Sequence, residues 1–143
     1  MSDIKFVYAH AAILVSNLER SAEFYKAAVS WVFEFEASFD ESLGRANNYG
    51  GPGRVMMGKM GGVPLELVEM QVPLERKELP KHFGIFMCSV MTPDLAPVRA
   101  QLKEAGIPIT REVAVGRSRL IVLTDPDGQE VGIIEPPAGM MAK

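Results

Sequence analysis

Few side chains in this sequence offer acid–base or nucleophilic chemistry within apolar surroundings. There are two histidines, His10 and His82, and one cysteine, Cys88. His10 lies in an apolar run, and Glu66 lies in PLELVEM, whose apolar residues predict a well-covered strand. A histidine and a carboxylate held together in an apolar cavity suit general acid–base catalysis, because burial and mutual charge tune both groups. Cys88 has no evident histidine or aspartate partner, so we expect no nucleophile there.

The elements that must position these groups begin with a strand, a helix and three further strands. The stretch at 6–15 is apolar and β-branched, and we expect a strand that is buried on much of both faces. A helix follows, with Ser16 as its N-cap and Glu19 completing a capping box. The polar, glycine-rich stretch at 39–53 predicts a loop. Alternation predicts the further strands at 32–38, 54–60 and 64–70.

The same order of elements begins again after a charged, proline-containing stretch. A strand is predicted at 82–90 and a helix at 92–106, with Pro93 near its start and Gly106 at its end. DPDG, at 125–128, has the residue types that a tight hairpin turn favours. The further strands of this half are predicted at 108–115, 119–124 and 129–135.

The two halves align as an internal repeat. The segment at 10–28 aligns with the segment at 87–105 at an offset of 77 residues. The segment at 61–70 aligns with the segment at 127–136 at an offset of 66. The two modules are therefore interpreted as copies that differ in loop length.

The repeat gives each of the two chemically active residues a counterpart. His10 falls opposite Met87, and Glu66 falls opposite Gly132. The second module thus has neither an imidazole nor a carboxylate at the matching positions.

Paired βαβββ modules, with HAAILVSNLERSAEFY near the start and TDPDGQEVGIIEP near the end, resemble the vicinal oxygen chelate superfamily. That superfamily includes glyoxalase I, methylmalonyl-CoA epimerase, extradiol dioxygenases and the fosfomycin- and bleomycin-resistance proteins. The resemblance covers almost the whole chain and implies an α+β fold in which two curled sheets form a cup-shaped cavity. It predicts one domain with module one at 5–70, a linker at 71–81, module two at 82–137 and a tail at 138–143.

The resemblance also implies positions for metal ligands, because metal-using members place one on the first and one on the last strand of each module. Those positions are His10 and Glu66 in module one, and Met87 and Gly132 in module two. A catalytic divalent metal typically has about three imidazole or carboxylate ligands, and a thioether is a poor ligand for hard ions. We therefore expect no cofactor. A divalent metal on His10 and Glu66, completed by His82 or by a partner chain, is the alternative.

The resemblance implies that His10 and Glu66 sit close together inside the cup, and an ancestral pair that is held by hydrogen bonds and does no chemistry is the alternative to a catalytic pair. It also places Met87 and Gly132 there, and the loss of ligands at these positions predicts extra room for a bound molecule. Loops commonly carry binding residues, arginines are placed to meet a carboxylate or phosphate, and methionine suits adaptable apolar pockets. Ordinary packing or a solvated surface is the alternative for each such residue. The candidate substrate-binding residues are Asn47, Tyr49, Arg54, Met56, Met87, Arg119 and Gly132.

Four other acidic residues lie at strand ends or in a turn, and we expect no catalytic role for them. Glu69 and Glu135 end their strands at matching positions of the repeat, so we expect a structural or rim role for both. Asp125 and Asp127 belong to the DPDG turn and are predicted to form that turn rather than to bind a ligand.

The composition limits the partners. A formal net charge of -3, without a basic cluster, argues against nucleic acid and anionic membranes. One cysteine allows no internal disulfide, and the amino-terminal stretch has no basic segment followed by an apolar run. We expect a cytoplasmic protein that binds a small molecule. Members of the superfamily often dimerise, so the resemblance implies a homodimer.

Three functional hypotheses follow. The first is a metal-independent isomerase, epimerase or lyase that transfers a proton on a hydrophobic or aromatic substrate, with His10 and Glu66 as catalytic residues. The second is a non-catalytic protein that sequesters a small molecule, as the bleomycin-resistance branch does. The third is a metal-dependent enzyme similar to glyoxalases or dioxygenases.

Overall fold

Two four-stranded sheets make up the computed structural model, which describes residues 4–72, 74–75, 84–85 and 87–141. Each sheet belongs to one module, and each module has one main helix. The predicted α+β fold with two βαβββ modules is therefore confirmed. Among the described residues, no helix is both long and apolar enough to cross a bilayer.

Module one places its first strand at the edge of its sheet. Its strand order is β1-β4-β3-β2, in which β1 runs parallel to β4 and the other pairs are antiparallel. The elements of module one are β1 (Ala11–Val15), α1 (Leu18–Val29), β2 (Val32–Phe39), α2 (Glu41–Ala46), β3 (Gly53–Met60) and β4 (Val63–Met70).

Module two repeats this topology with the strand order β5-β8-β7-β6. Its first strand, β5, again lies at the edge and pairs in parallel with its last strand, β8. The elements of module two are β5 (Met87–Met91), α3 (Leu95–Glu104), β6 (Arg111–Val115), β7 (Ser118–Thr124) and β8 (Glu130–Glu135).

The pairing of the parallel strands confirms the repeat residue by residue. Ala11 lies opposite Leu65 in module one, and Cys88 lies opposite Val131 in module two. These are the same pair displaced by the sequence offsets of 77 and 66.

One hydrophobic core joins the helices to one side of both sheets. Buried residues of α1, such as Leu18 and Tyr25, share this core with Leu65 of β4 and Ile121 of β7. Because neighbouring residues of a strand point to opposite faces, alternate positions must lie on the side away from the helices. We call that side of each sheet its cup face.

The first strand is shorter than predicted. Regular pairing covers only Ala11–Val15, and residues 4–10 belong to no strand and are exposed, with Phe6 and Val7 both 91% accessible. In the register of β1 with β4, Pro64 falls opposite His10, and a proline has no backbone N–H to donate. The predicted burial at 6–10 is therefore wrong.

The first helix is capped by Asn17 rather than by Ser16. The Asn17 side chain accepts a hydrogen bond from the backbone N–H of Arg20. Ser16 instead bonds to Asp127 of module two. The predicted capping box is therefore wrong, because a contact distant in sequence occupies the serine hydroxyl.

The predicted loop at 39–53 contains the short helix α2. Asp40 caps it by accepting a hydrogen bond from the Leu43 N–H at 2.8 Å. Glu41 and Arg45, four residues apart on one helical face, form an ion pair. A local cap and a local pair thus make one turn of helix in a stretch whose glycines predict only a loop.

The remaining boundaries shift by a few residues. The second main helix starts at Leu95 after the cap Asp94, and Gly106 ends it with a φ of 69°. The strand predicted at 108–115 begins at Arg111. Most of the predicted linker and the start of the strand predicted at 82–90, with His82, lie outside the described residues.

Candidate functional site

His10 and Glu66 meet on the cup face of module one. The parallel pairing of β1 with β4 brings them together, and His10 Nε2 lies 3.0 Å from Glu66 Oε2. The histidine side chain is 43% exposed, whereas the glutamate is 17% exposed. A half-open imidazole is accessible to a small molecule, while its carboxylate partner is mostly covered.

The sheet around this pair is apolar. On the same face, β1 continues with Ala12 and Leu14, and β4 continues with Val68. Met57 of β3 lies directly opposite Glu66. Because the His10 side chain and the neighbouring Ala12 and Leu14 are exposed, water screens the charges of the pair in part.

Two cavities have walls that include residues of β1. Cavity one has a volume of about 670 Å³, and Ala12 and Leu14 form part of its wall. Cavity two has a volume of about 410 Å³, and its wall includes Tyr8 and Pro64. Residues near His10 in the chain, Tyr8 and Ala12, thus belong to the walls of spaces of the size that small ligands occupy, whereas His10 and Glu66 belong to neither wall.

The matching positions of module two carry no acid–base pair. Met87 and Gly132 lie close together, because a Cβ atom built on Gly132 would be 2.9 Å from Met87 Sδ. It would also be 2.6 Å from Ser89 Oγ and 3.1 Å from Leu120 Cδ1. The expectation that Gly132 leaves extra room for a ligand is wrong, since Met87 and Ser89 occupy that space.

In the described part of module one, the candidate metal site has two side-chain donors, His10 and Glu66. Among the residues that the structure describes, no group of three His, Cys, Asp or Glu side chains is arranged to hold a metal ion. The repeat supplies only Met87 and Gly132 where further ligands would stand. These residues by themselves do not fit a tight divalent-metal site.

The family model described as Glyoxalase/Bleomycin resistance protein/Dioxygenase superfamily matches residues 7–133. The chain belongs to this superfamily. The match begins before His10 and ends just after Gly132, so it includes β1, β4, β5 and the first four residues of β8.

Solved structures of this superfamily share the fold over nearly the whole chain. A glyoxylase/bleomycin resistance protein/dioxygenase domain from Frankia sp. EAN1pec has a TM-score of 0.75 at 16% identity, covering 95% of this chain and 96% of that one. A glyoxalase family protein from Enterococcus faecalis has a TM-score of 0.70 at 20% identity, covering 88% and 94%. The fosfomycin resistance protein FosX from Listeria monocytogenes, complexed with Mn(II) and sulfate, has a TM-score of 0.62 at 11% identity, covering 94% and 96%. A search of curated proteins gives no match.

Within the superfamily fold, two of the candidate ligand-binding residues lie on the helix-facing side of their sheet. Met56 packs against the core. Arg54 donates to Glu19 of α1 at 2.7 Å and also pairs with Glu36 and Glu69. This acidic environment raises the Arg54 pKa, chiefly through the bond to Glu19, and holds the guanidinium away from the cup face.

Arg119 occupies the position of module two that matches Arg54. It lies opposite Glu135 in its sheet, as Arg54 lies opposite Glu69. Its guanidinium bonds to Glu112 at 3.0 Å. Both arginines therefore belong to repeated structural positions rather than to the surroundings of the His10–Glu66 pair.

The two loop candidates of module one, Asn47 and Tyr49, lie at the C-terminal end of α2. Asn47 is the C-cap residue, and its side chain donates to the Leu43 carbonyl. The Tyr49 ring packs against Phe39 with 5.5 Å between ring centroids. Both side chains have structural contacts, and neither forms part of the walls of the two cavities.

Glu69 and Glu135 have the same structural role in the two modules. Glu69 Oε2 accepts a hydrogen bond from the Leu18 N–H at 2.7 Å, at the start of α1. Glu135 Oε2 accepts one from the Leu95 N–H at 2.7 Å, at the start of α3. Each carboxylate satisfies a helix amide that has no partner within the helix.

The DPDG turn joins module two to module one, which the sequence pattern did not indicate. Asp127 accepts hydrogen bonds from both the N–H and the hydroxyl of Ser16. Asp125 accepts bonds from two backbone amides of its own turn and from the Tyr25 hydroxyl at 2.9 Å. Burial raises the pKa of the Asp125 carboxyl. The two acids thus form the turn, as predicted, and also hold the modules together.

Cys88 lies between the two cavities, and its environment keeps the thiol protonated. Burial raises its pKa to about 11. A thiol of this kind is a weak nucleophile near neutral pH, and that Cys88 is not catalytic stays a prediction.

Proposed function

We propose that this protein is a metal-independent enzyme of the superfamily that transfers a proton on a hydrophobic small molecule. The observation that supports the proposal most directly is the 3.0 Å contact between His10 Nε2 and Glu66 Oε2 on the cup face of module one. A histidine that is oriented by a carboxylate and open to a ligand has the equipment of a general base.

The pairing assigns different tasks to the two histidine nitrogens. With the Nε2–H donating to Glu66, Nδ1 is the nitrogen that takes a proton. A proton would leave the carbon next to a carbonyl group and move to Nδ1, and the electron pair would pass into an enolate. Glu66 stabilises the imidazolium that results. Return of the proton to the same carbon gives epimerisation or exchange, and return to another atom gives isomerisation.

Hydrogen exchange tests this proposal without knowledge of the natural substrate. Wild-type protein is incubated in D₂O with hydrophobic carbonyl compounds, and NMR follows deuterium entering the position next to the carbonyl. We expect exchange above the buffer rate, a loss of about 100-fold in His10→Ala and a smaller loss in Glu66→Gln. Glu36→Gln, at an exposed strand position, is the matched control. Exchange that persists in His10→Ala would refute the proposal.

A binding protein without catalysis is the second candidate. It is supported by the two cavities of ligand size and by the absence of an acid–base pair at the matching positions of module two. In the same experiments such a protein binds its ligand, produces no exchange, and keeps its affinity in Glu66→Gln.

A metal-dependent enzyme is the third candidate, because the structurally similar FosX is complexed with Mn(II). Such an enzyme would need donors beyond His10 and Glu66, from His82 or from a partner chain. Elemental analysis, with melting curves in chelator and in added Mn²⁺ or Zn²⁺, tests this. We expect no stoichiometric metal and no melting shift, whereas one bound ion per chain would favour the metal enzyme.

We also propose that the protein is a cytoplasmic homodimer. The support is the exposed segment at 4–10, where Ile4, Phe6 and Val7 are all largely accessible in the single chain. Exposed apolar surface of this kind is typical of contact sites between proteins. Light scattering after size exclusion measures the state directly, and a monomer would contradict the proposal.

A further inference from the structure

The walls of cavity two lack the side chains that would bind a charged ligand. Among the described residues of this wall there is no Lys, Arg, His, Asp or Glu. Cys88 belongs to it as a protonated thiol. The other described residues of the wall are apolar or carry a hydroxyl, and include Tyr8, Met60, Val63, Ser89, Met91 and Met141.

Cavity one has a different character. Its wall includes Arg20, Glu75 and Asp127 among apolar residues. Arg20 already bonds to Ser16 and lies 3.6 Å from Asp127, so its charge is engaged within the protein. Cavity two is thus the more apolar of the two spaces.

The wall of cavity two includes residues two positions before each member of the pair in the chain. Pro64 belongs to its wall and precedes Glu66 by two residues on β4. Tyr8 belongs to it and precedes His10 by two residues. Two residues of extended chain span about 7 Å, so the inference requires a ligand of at least this length to reach from cavity two to the pair.

Ser89 is the polar side chain that module two presents to this space. It lies on the cup face of β5, and Gly132 leaves the room that its hydroxyl occupies. No hydrogen bond of the hydroxyl to another described residue is found, so it is free to donate to a ligand. The matching residue in module one is Ala12.

We infer that cavity two takes an uncharged ligand, and that Ser89 determines specificity by donating a hydrogen bond to an acceptor atom such as a carbonyl oxygen. Charged ligands are disfavoured because the described wall offers them no counter-ion. The inference rests on the proposed function for the position of the ligand beside His10.

A matched pair of probes tests the inference. Acetophenone is an uncharged aryl ketone, and 4-acetylbenzoate has the same ketone with a carboxylate added. Affinities for the full-length protein are measured by ligand-observed NMR titration. We expect acetophenone to bind at least about 10-fold more tightly than 4-acetylbenzoate, because only the latter must give up the hydration of a charge.

Variants at Ser89 test the assigned contact. Ser89→Ala should weaken acetophenone binding about 3- to 10-fold, the range for loss of one hydrogen bond. The alanine should fold normally, because Ala12 occupies the matching position. Ser38→Ala, at an exposed serine of β2, is the control and should bind as the wild type does.

The outcomes separate this inference from the proposed function. Equal or tighter binding of 4-acetylbenzoate, no binding of acetophenone, or unchanged binding in Ser89→Ala would overturn the inference. Binding of acetophenone that depends on Ser89 but gives no deuterium incorporation would support the inference and refute proton transfer. Incorporation that is lost in His10→Ala would support both.

Discussion

Module one holds an imidazole and a carboxylate 3.0 Å apart on its cup face, whereas module two holds a thioether and a glycine at the matching positions. The backbone around the two sites is the same. Ala11 with Leu65 and Cys88 with Val131 are one pairing in two copies. The difference shows that the repeat maintains the frame while the cup-face side chains vary.

The contacts between the modules are also unequal. The β7–β8 turn of module two carries Asp127, which bonds to Ser16. At the matching position, the β3–β4 turn of module one carries Gly61, and a Cβ built there would lie 3.4 Å from Val90 Cγ1. One contact between the modules is therefore polar and directional, and the other is apolar.

Copying module one onto module two is the largest change that this comparison suggests. The triple variant Met87→His, Ser89→Ala and Gly132→Glu gives module two the residues of His10, Ala12 and Glu66. Replacing Met87 and Ser89 removes the atoms that lie closest to a Cβ at 132. If the two cup faces converge, four donors meet in one site.

We expect this variant to bind Mn²⁺ or Zn²⁺ at least about 100-fold more tightly than the wild type, measured by calorimetry. An ion at 100 times its dissociation constant would stabilise the fold by about 2.7 kcal/mol. Adding His10→Ala to the triple variant should abolish most of the gain. A folded triple variant without the gain would show that the two cup faces do not converge on one site.

The next largest effect is expected at the polar contact between the modules. Tyr25→Phe removes the hydroxyl that donates to the buried Asp125. An acceptor left without its donor costs about 1–3 kcal/mol in free energy of unfolding, measured by urea denaturation. Tyr49→Phe, at a tyrosine that is 37% exposed, is the control and should change little. Equal effects of the two variants would mean that the Tyr25–Asp125 bond does not stabilise the fold.

Asp125 should also make stability depend on pH in a particular direction. Its folded-state pKa is raised above the ordinary value of 3.8, chiefly by burial. As the pH falls, the folded protein therefore takes up this proton before the unfolded chain does. The stabilisation from this group is complete below the unfolded pKa and is lost as the pH rises through the folded pKa.

Asp125→Asn is expected to remove this dependence, because an amide does not titrate in this range. The free energy of unfolding is measured for both proteins over the acidic range, and the difference between them isolates the one group. A difference that grows in favour of the wild type with rising pH would contradict the raised pKa.

The repeated parts of the molecule could be predicted from the sequence, because their signals are local or recur at fixed offsets. The βαβββ order, the equivalence of His10 with Met87, and the matching positions of Glu69 and Glu135 all follow from the alignment of the two halves. The closeness of His10 and Glu66 needed the family resemblance, because their separation in sequence carries no geometric information.

The parts that could not be predicted depend on contacts between distant residues. Ser16 has the sequence of a helix cap, but its partner Asp127 is 111 residues away. Arg54 has the chemistry of an anion-binding residue until three acids from other elements surround it. Gly132 predicts an open space, which the side chains of β5 fill. Each of these depends on packing that a linear pattern does not contain.

The smallest predicted effects compare the two helix starts. Glu69→Ala and Glu135→Ala each remove the carboxylate that accepts the first N–H of a main helix, from Leu18 and from Leu95. Each should lower the free energy of unfolding by about 1 kcal/mol, the usual loss for a helix cap. Glu23→Ala, at an exposed position within α1, should have little effect.

Comparing the loss of free energy of unfolding in Glu69→Ala with that in Glu135→Ala tests whether the two modules are equivalent in stability. Glu69 also pairs with Arg54 at 3.5 Å, but Arg54 keeps its bond to Glu19, so this contact should add little. The free energy of unfolding is measured by urea denaturation. Nearly equal losses in the two variants would mean that the matching carboxylates stabilise their modules equally. A much larger loss at Glu69 would show that module one, which carries the acid–base pair, depends on its frame more strongly than module two does.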